Sequence, residues 1–166
     1  MALALLLFVT LQRLAELIHA RRNTRRLLAE GAIEIGARHY PLLVLLHASW
    51  LMSLWLWLAG GHATFIWPAA LAYAVVELAR LWVMATLGRY WTTRILVPSD
   101  TPALRTGPYR FLKHPNYVVV ACEITLLPLA LGAWPLALAF SLLNAMILVW
   151  RIRVEETSLQ RRRLAA

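Results

Sequence analysis

F-I-W-P-A-A-L-A-Y-A-V-V-E-L-A-R-L-W-V-M-A-T-L, residues 65–87, carries only two charges, Glu77 and Arg80, over its whole length. A helix needs about 20 mostly apolar residues to cross the hydrocarbon core of a bilayer. The run is too long for a strand and lacks strand alternation, and the dyad pattern of a membrane barrel is missing as well. Four further stretches read the same way: residues 2–20, 41–58, 115–131 and 135–154. The sequence predicts an all-α integral membrane protein with five transmembrane helices, built as a single domain over residues 1–166. Composition agrees, since 61% of the chain is hydrophobic against about 45–50% in soluble domains. A soluble domain of this length would lack the polar surface to stay dissolved.

The net charge of +9 raises nucleic acid as a partner, but its placement argues for a membrane and no nucleic acid. Arg21, Arg22, Arg25, Arg26 and Arg38 lie in the first connection, and Arg89, Arg94, Arg105, Arg110 and Lys113 in the third. Arg151, Arg153, Arg161, Arg162 and Arg163 sit at or beyond the end of the last span, while residues 59–64 and 132–134 hold no basic side chain. Basic residues accumulate on the cytoplasmic side, so this pattern predicts the N-terminus outside and the C-terminus cytoplasmic. Trp67 and Trp134 would anchor the charge-free interface and Trp91 the basic one. The N-terminal run has no basic leader, and arginines follow it, so it reads as a retained span rather than a secretory signal. The lone Cys122 excludes an internal disulfide, and no metal-ligand spacing or glycine-rich phosphate loop is present.

Charged groups inside spans are costly and usually face a cavity or each other. Arg13 and Glu16 are three apart on the first span, as are Glu77 and Arg80 on the third. Each pair shares a helix face and reads as a local ion pair. Glu123, about two turns into the fourth span, has no such neighbour and is a candidate for contacting a substrate. Residues 88–113 contain Pro98, Pro102, Gly107 and Pro108 and cannot be one helix; residues 92–97 suit an extended segment. Long ordered connections of this kind tend to carry function.

Two polar motifs lie where the spans meet the basic side. In G-P-Y-R-F-L-K-H-P-N-Y (residues 107–117), Pro115 suits the first turn of a helix, where its missing N–H costs nothing. His114 then falls at the cap beside free backbone N–H groups, a place able to hold an anionic or polar ligand group. In R-I-R-V-E-E (residues 151–156), Arg151 and Glu155 are four apart and stack on one helix face. An adjacent acid pair is a poor anchor on an anionic leaflet that favours basic residues.

These two motifs at this spacing resemble the C-terminal signature of the isoprenylcysteine carboxyl methyltransferase family over residues 94–159. R-L-A-E-L (13–17), R-R-N (21–23) and G-A-R-H-Y-P (36–41) resemble a bacterial branch associated with O-methylation of long-chain polyketides such as alkylpyrones. The resemblance implies an integral-membrane enzyme that uses S-adenosyl-L-methionine without a Rossmann domain. By the same resemblance Thr101, Pro102, Ala103 and Leu104 would line the cofactor, with Tyr109, His114, Pro115, Asn116 and Tyr117 enclosing it. Glu155 would hold one of its donor groups, and Arg151 would face the acceptor. Lys113 stands where the family pattern usually has arginine, and lysine cannot give the same two-pronged carboxylate contact.

Methyl transfer from a sulfonium is an in-line displacement that chiefly demands positioning. An acceptor that is already an anion, a carboxylate or an acidic enol, needs only a cation to orient its oxygen. The partners implied are a lipophilic small molecule, entering sideways between spans, and the membrane lipids themselves. Two other classes stay open: a sterol-type membrane reductase using NADPH, which also carries an H-P-N-Y-like motif, and a non-enzymatic membrane scaffold.

Overall fold

The computed structural model describes residues 1–37, 40–97 and 106–165, with side chains placed as far as Thr157. Five long helices dominate the described residues: α1 (Ala2–Ala29), α2 (Tyr40–Ala59), α3 (Trp67–Leu87), α4 (Pro115–Ala130) and α5 (Trp134–Ala165). Two three-residue strands, β1 (Ile33–Ile35) and β2 (Ile95–Val97), form one antiparallel ribbon with Glu34 opposite Leu96. The helical class is therefore correct, with a small ribbon added where the sequence suggests an extended segment. Helix α1 runs on past the apolar stretch through its arginines and ends where Gly31 turns to φ 89°. Prolines in the first turn start α3 and α4, where a missing N–H is harmless.

Four helices, α1, α2, α3 and α5, are long and apolar enough to cross a membrane. The fourth expected span, α4, has 16 residues and so a length of about 24 Å, short of the ~30 Å hydrocarbon core. It is also the most enclosed: Val119, Glu123, Ile124, Leu127, Pro128 and Ala130 are all buried. The other four helices turn large apolar side chains outward, Phe8, Leu45, Val75, Leu78, Leu142 and Met146 among them. Such a surface suits lipid and not water. The shared core, which includes Leu6, Trp50, Leu54, Tyr73, Leu127 and Phe140, lies between the helices.

The two ends of the bundle differ. At one end the short turns lock together, Thr64 N–H donating to Leu131 O (3.2 Å) and Ile66 N–H to Ala130 O (2.9 Å). Gly132 passes that corner at φ 70°, against the Thr64 side chain, with no room for a Cβ. At the other end both long connections meet. Arg89 bonds Glu30 (2.6 Å), and Asn23 donates to the carbonyls of Gly88 (3.3 Å) and Trp91 (2.9 Å). Basic connections thus gather at one end, as the charge pattern predicts. Trp67 and Trp134 are exposed at the opposite, charge-free end. Trp91 is different: it is buried and stacked on His19 at 5.8 Å, so it packs α1 to the connection after α3 and does not face headgroups.

Candidate functional site

At the basic end, the start of α4 meets the last turns of the apolar part of α5. Along α5 the buried positions Ala137, Phe140, Asn144, Leu148 and Arg151 recur every three or four residues, the stripe of a core-facing helix. That stripe carries Arg151, and one turn later Glu155, onto α4. The Tyr117 hydroxyl donates to Glu155 Oε2 (2.6 Å) and accepts from Arg151 Nε (3.0 Å). Arg151 Nη2 donates to the Thr93 carbonyl (2.8 Å), and its guanidinium lies 5.5 Å from the centre of the Tyr117 ring. Arg151 is only 6% exposed, yet among the described residues it bonds no carboxylate directly. A phenol stands between the cation and the anion.

His114 caps α4 with its backbone, makes no side-chain cap, and stacks on Tyr117 at 5.3 Å. Its ring nitrogens stand 3.7 Å from Glu155 and 3.7 Å from Glu156, near enough for ion pairing when the ring is protonated. Asn116 Oδ1 is buried here without a hydrogen-bond partner among the described residues. Such orphaned polar atoms are uncommon in folded proteins. Tyr109, in the short 3₁₀ turn Gly107–Arg110, is pushed up to about 12 by burial, with the charge of Glu155 adding to the effect. Gly107 holds that turn at φ 55° against Thr86, where a Cβ would collide. Lys113 is exposed. Thus Arg151, Glu155, Tyr117, His114, Pro115, Asn116 and Tyr109 come together; Thr101, Pro102, Ala103 and Leu104 lie outside the described residues.

Glu123 goes elsewhere. It sits six residues beyond Tyr117 on α4, about 9 Å along the axis, inside a cluster of buried charge. Arg80 Nη1 reaches both of its oxygens (2.9 and 2.7 Å), and Arg13 bonds them at 3.2 and 3.3 Å. Arg80 also forks onto Glu16 through Nε (2.8 Å) and Nη2 (2.8 Å), and Arg13 reaches Glu77 (2.7 Å). Gln12 donates to Glu77 and to Glu16 (3.1 Å). The expected local pair Arg13–Glu16 exists (3.1 Å), but Glu77 and Arg80 do not pair with each other. They cross to α1 instead, because two helices with complementary charges on facing sides let each guanidinium fork onto carboxylates.

Sequence reasoning did not single out Thr93, Tyr40 or His47. Tyr40 OH shares a hydrogen bond with Thr93 Oγ1 (3.1 Å), beside the carbonyl that holds Arg151. Arg94, one residue on, bonds Glu34 (2.7 Å) and covers the Tyr40 ring at 4.6 Å. The Glu34 partner pushes the Arg94 guanidinium above its ordinary value. The ribbon therefore ties the first connection to the site. A heptad signal was available: Tyr40, His47 and Leu54 are spaced seven apart, which returns to one helix face.

Comparison with known proteins adds to this geometry. Over 159 residues the chain is 38% identical to the uncharacterized protein YpbQ of Bacillus subtilis (strain 168), covering 94% of this chain and 95% of that protein. An uncharacterized protein of Haemophilus influenzae is 27% identical over 144 residues, 83% of each chain. No solved structure matches. The isoprenylcysteine carboxyl methyltransferase (ICMT) family pattern matches residues 69–161, a stretch that contains α4, most of α5 and the whole Tyr117–Arg151–Glu155 network. The chain belongs to the isoprenylcysteine carboxyl methyltransferase family, a family of membrane methyltransferases.

Proposed function

We propose that the protein is an S-adenosylmethionine-dependent O-methyltransferase acting on a lipophilic acceptor at the cytoplasmic boundary of a bacterial membrane. The observation that carries the reading is the Arg151–Tyr117–Glu155 network at the start of α4, inside the family-matched region. The reading includes five spans, α4 as the enclosed fourth, with the N-terminus outside and the C-terminus cytoplasmic.

The residues present fit such a cofactor. Glu155 uses one oxygen for Tyr117, and its carboxylate suits an ammonium or ribose hydroxyls. Asn116 Oδ1, unpartnered among the described residues, and the uncapped start of α4 supply further polar contacts. His114, Pro115, Tyr117 and Tyr109 form the wall around them. By family resemblance Thr101, Pro102, Ala103 and Leu104 complete it. When bound, the cofactor supplies an electrophilic methyl group on a sulfonium.

Arg151 is held from one side by Tyr117 and Thr93, which leaves a buried cation to orient an acceptor oxygen. Low surrounding polarity strengthens that interaction. The acceptor head would lie beside Arg151 and its tail among the spans, in contact with membrane lipids. Glu123, with both oxygens occupied by arginines, would bear on the acceptor through the shape of the bundle rather than by direct contact. With Lys113 a point charge, a long-chain enol or phenol is favoured over a prenylcysteine-like carboxylate.

Calorimetry with S-adenosylhomocysteine on the detergent-solubilised chain tests the cofactor. Tritiated methyl transfer to an alkylpyrone, an alkylresorcinol and a farnesylcysteine analogue tests the acceptor. Saturable binding and methylation of the polyketides are expected. NADPH oxidation without methyl transfer would move the protein to the reductases, and absence of binding to either cofactor would leave a scaffold.

A further inference from the structure

Residues 91–97 carry the backbone carbonyl that meets Arg151, and ties from the first part of the chain pin this segment along its length. Asn23 of α1 donates to the Trp91 carbonyl (2.9 Å). Tyr40, the first residue of α2, shares a hydrogen bond with Thr93 Oγ1 (3.1 Å). Glu34 of β1 pairs with Arg94 (2.7 Å), whose guanidinium lies 4.6 Å from the centre of the Tyr40 ring. Residues 95–97 then pair with β1, Ile35 opposite Ile95. Asn23, Glu34 and Tyr40 all precede the family-matched residues 69–161. Among the described residues, Tyr40 and Arg151 are the two side chains bonded to Thr93.

A guanidinium is planar, with its donors in a rigid fork. Arg151 uses one edge of that fork for the protein: Nε donates to the Tyr117 hydroxyl (3.0 Å) and Nη2 to the Thr93 carbonyl (2.8 Å). Two anchors on one edge fix the plane, whereas one alone leaves it free to turn. Nη1 has no hydrogen-bond partner among the described residues, so it is the end left to an acceptor oxygen. The Tyr117 anchor is shared with Glu155 (2.6 Å). The Thr93 anchor is a backbone atom, and its direction follows from how Thr93 is held. Threonine is β-branched and has few χ1 choices. A bond to its Oγ1 therefore restrains the backbone that carries the carbonyl.

We propose that Tyr40 is a positioning residue for the methyl acceptor. Through Thr93 it sets the plane of the Arg151 guanidinium, and so the direction from which Nη1 holds the acceptor oxygen. The proposal rests on the methyltransferase reading above. An in-line displacement needs the oxygen aimed along the breaking bond, so a cation that turns costs rate more than affinity. Tyr40 is itself fixed, because Arg94 covers its ring and Glu34 holds Arg94. The β1–β2 ribbon thus braces the site from a part of the chain that supplies none of the residues around the cofactor.

The test uses the full chain with Tyr40→Phe, which keeps the ring under Arg94 and removes only the hydroxyl. Thr93→Val removes the other half of the bond, keeps the β-branch and the carbonyl, and carries the test if the first variant does not fold. With an alkylresorcinol as acceptor, kcat should fall about tenfold in Tyr40→Phe while KM changes little. Thr93→Val should match it, and the double variant should lose no more than either single one. Thr93→Ser, which restores a hydroxyl, should stay near the wild type. S-adenosylhomocysteine affinity and melting temperature should not move. A cofactor-free readout runs beside it: a bound long-chain nitrophenol should ionise at higher pH in Tyr40→Phe than in the wild type. Wild-type turnover in Tyr40→Phe, multiplying losses in the double variant, or identical nitrophenol titrations overturn the assignment. So does a loss of turnover matched by loss of cofactor affinity. Failure of the wild type to bind S-adenosylhomocysteine sinks the methyltransferase reading separately, and the nitrophenol titration still decides whether Tyr40 sets the Arg151 cation.

Discussion

Glu155 and Arg151 sit one turn apart on α5, yet the geometry divides their work. Glu155 has one oxygen bonded to Tyr117 and lies beside His114, at the uncapped start of α4. Glu155→Gln should weaken S-adenosylmethionine binding by about 1.5–3 kcal/mol, the worth of a charge-assisted hydrogen bond. Calorimetry on the folded variant measures this, and unchanged affinity would make Glu155 a structural partner of Tyr117. Arg151→Ala should instead depress turnover and leave cofactor affinity nearly intact, because its own contacts run to Tyr117 and Thr93. A matching loss of cofactor affinity would place Arg151 on the cofactor side.

Between helices, buried charge does what apolar packing does elsewhere. Helices α1, α3 and α4 each contribute to the Arg13–Glu16–Glu77–Arg80–Glu123 cluster, and Glu16 and Glu123 are each shared by both guanidiniums. Removing one member of a buried pair leaves uncompensated charge and costs about 3–5 kcal/mol. Glu123→Ala should therefore lower thermal stability in detergent markedly, and an unchanged melting temperature would show that the cluster does not hold α1 to its neighbours. The turn at the other end gives a second expectation. Gly132→Ala meets both a positive φ and the Thr64 side chain, so a loss of more than about 1 kcal/mol is expected. A melting curve matching the parent would mean the α4–α5 corner opens freely.

The whole molecule places its two kinds of connection at opposite ends, with the site at the basic one. With Cys122 replaced by serine, cysteines at His62 and Arg110 should react with a membrane-impermeant reagent from opposite sides. Both positions are exposed. Labelling of both from one side would overturn the proposed orientation and, with it, a cytoplasmic site.

Helical class, membrane burial and the residues of the α4–α5 site were legible in the chain, because each rests on local information. Twenty apolar residues in a row admit few structures in a bilayer, Pro115 starts a helix wherever it occurs in this setting, and Arg151 and Glu155 share a face by spacing alone. The partner of each charge was not legible. Glu77 and Arg80 look like a local pair at three residues' separation, but α1 brings a complementary set against them, and crossed forks satisfy more hydrogen bonds. Trp91 reads as an interface anchor until α1 places His19 over it. Tyr40 looks like an ordinary aromatic at the start of an apolar run until the ribbon brings Thr93 to its hydroxyl. Sequence by itself determined which segments are helices and at which end the polar residues collect, since hydropathy and charge act along the chain. Only the tertiary structure decided which charges meet, since that depends on how helices distant in sequence are rotated against one another.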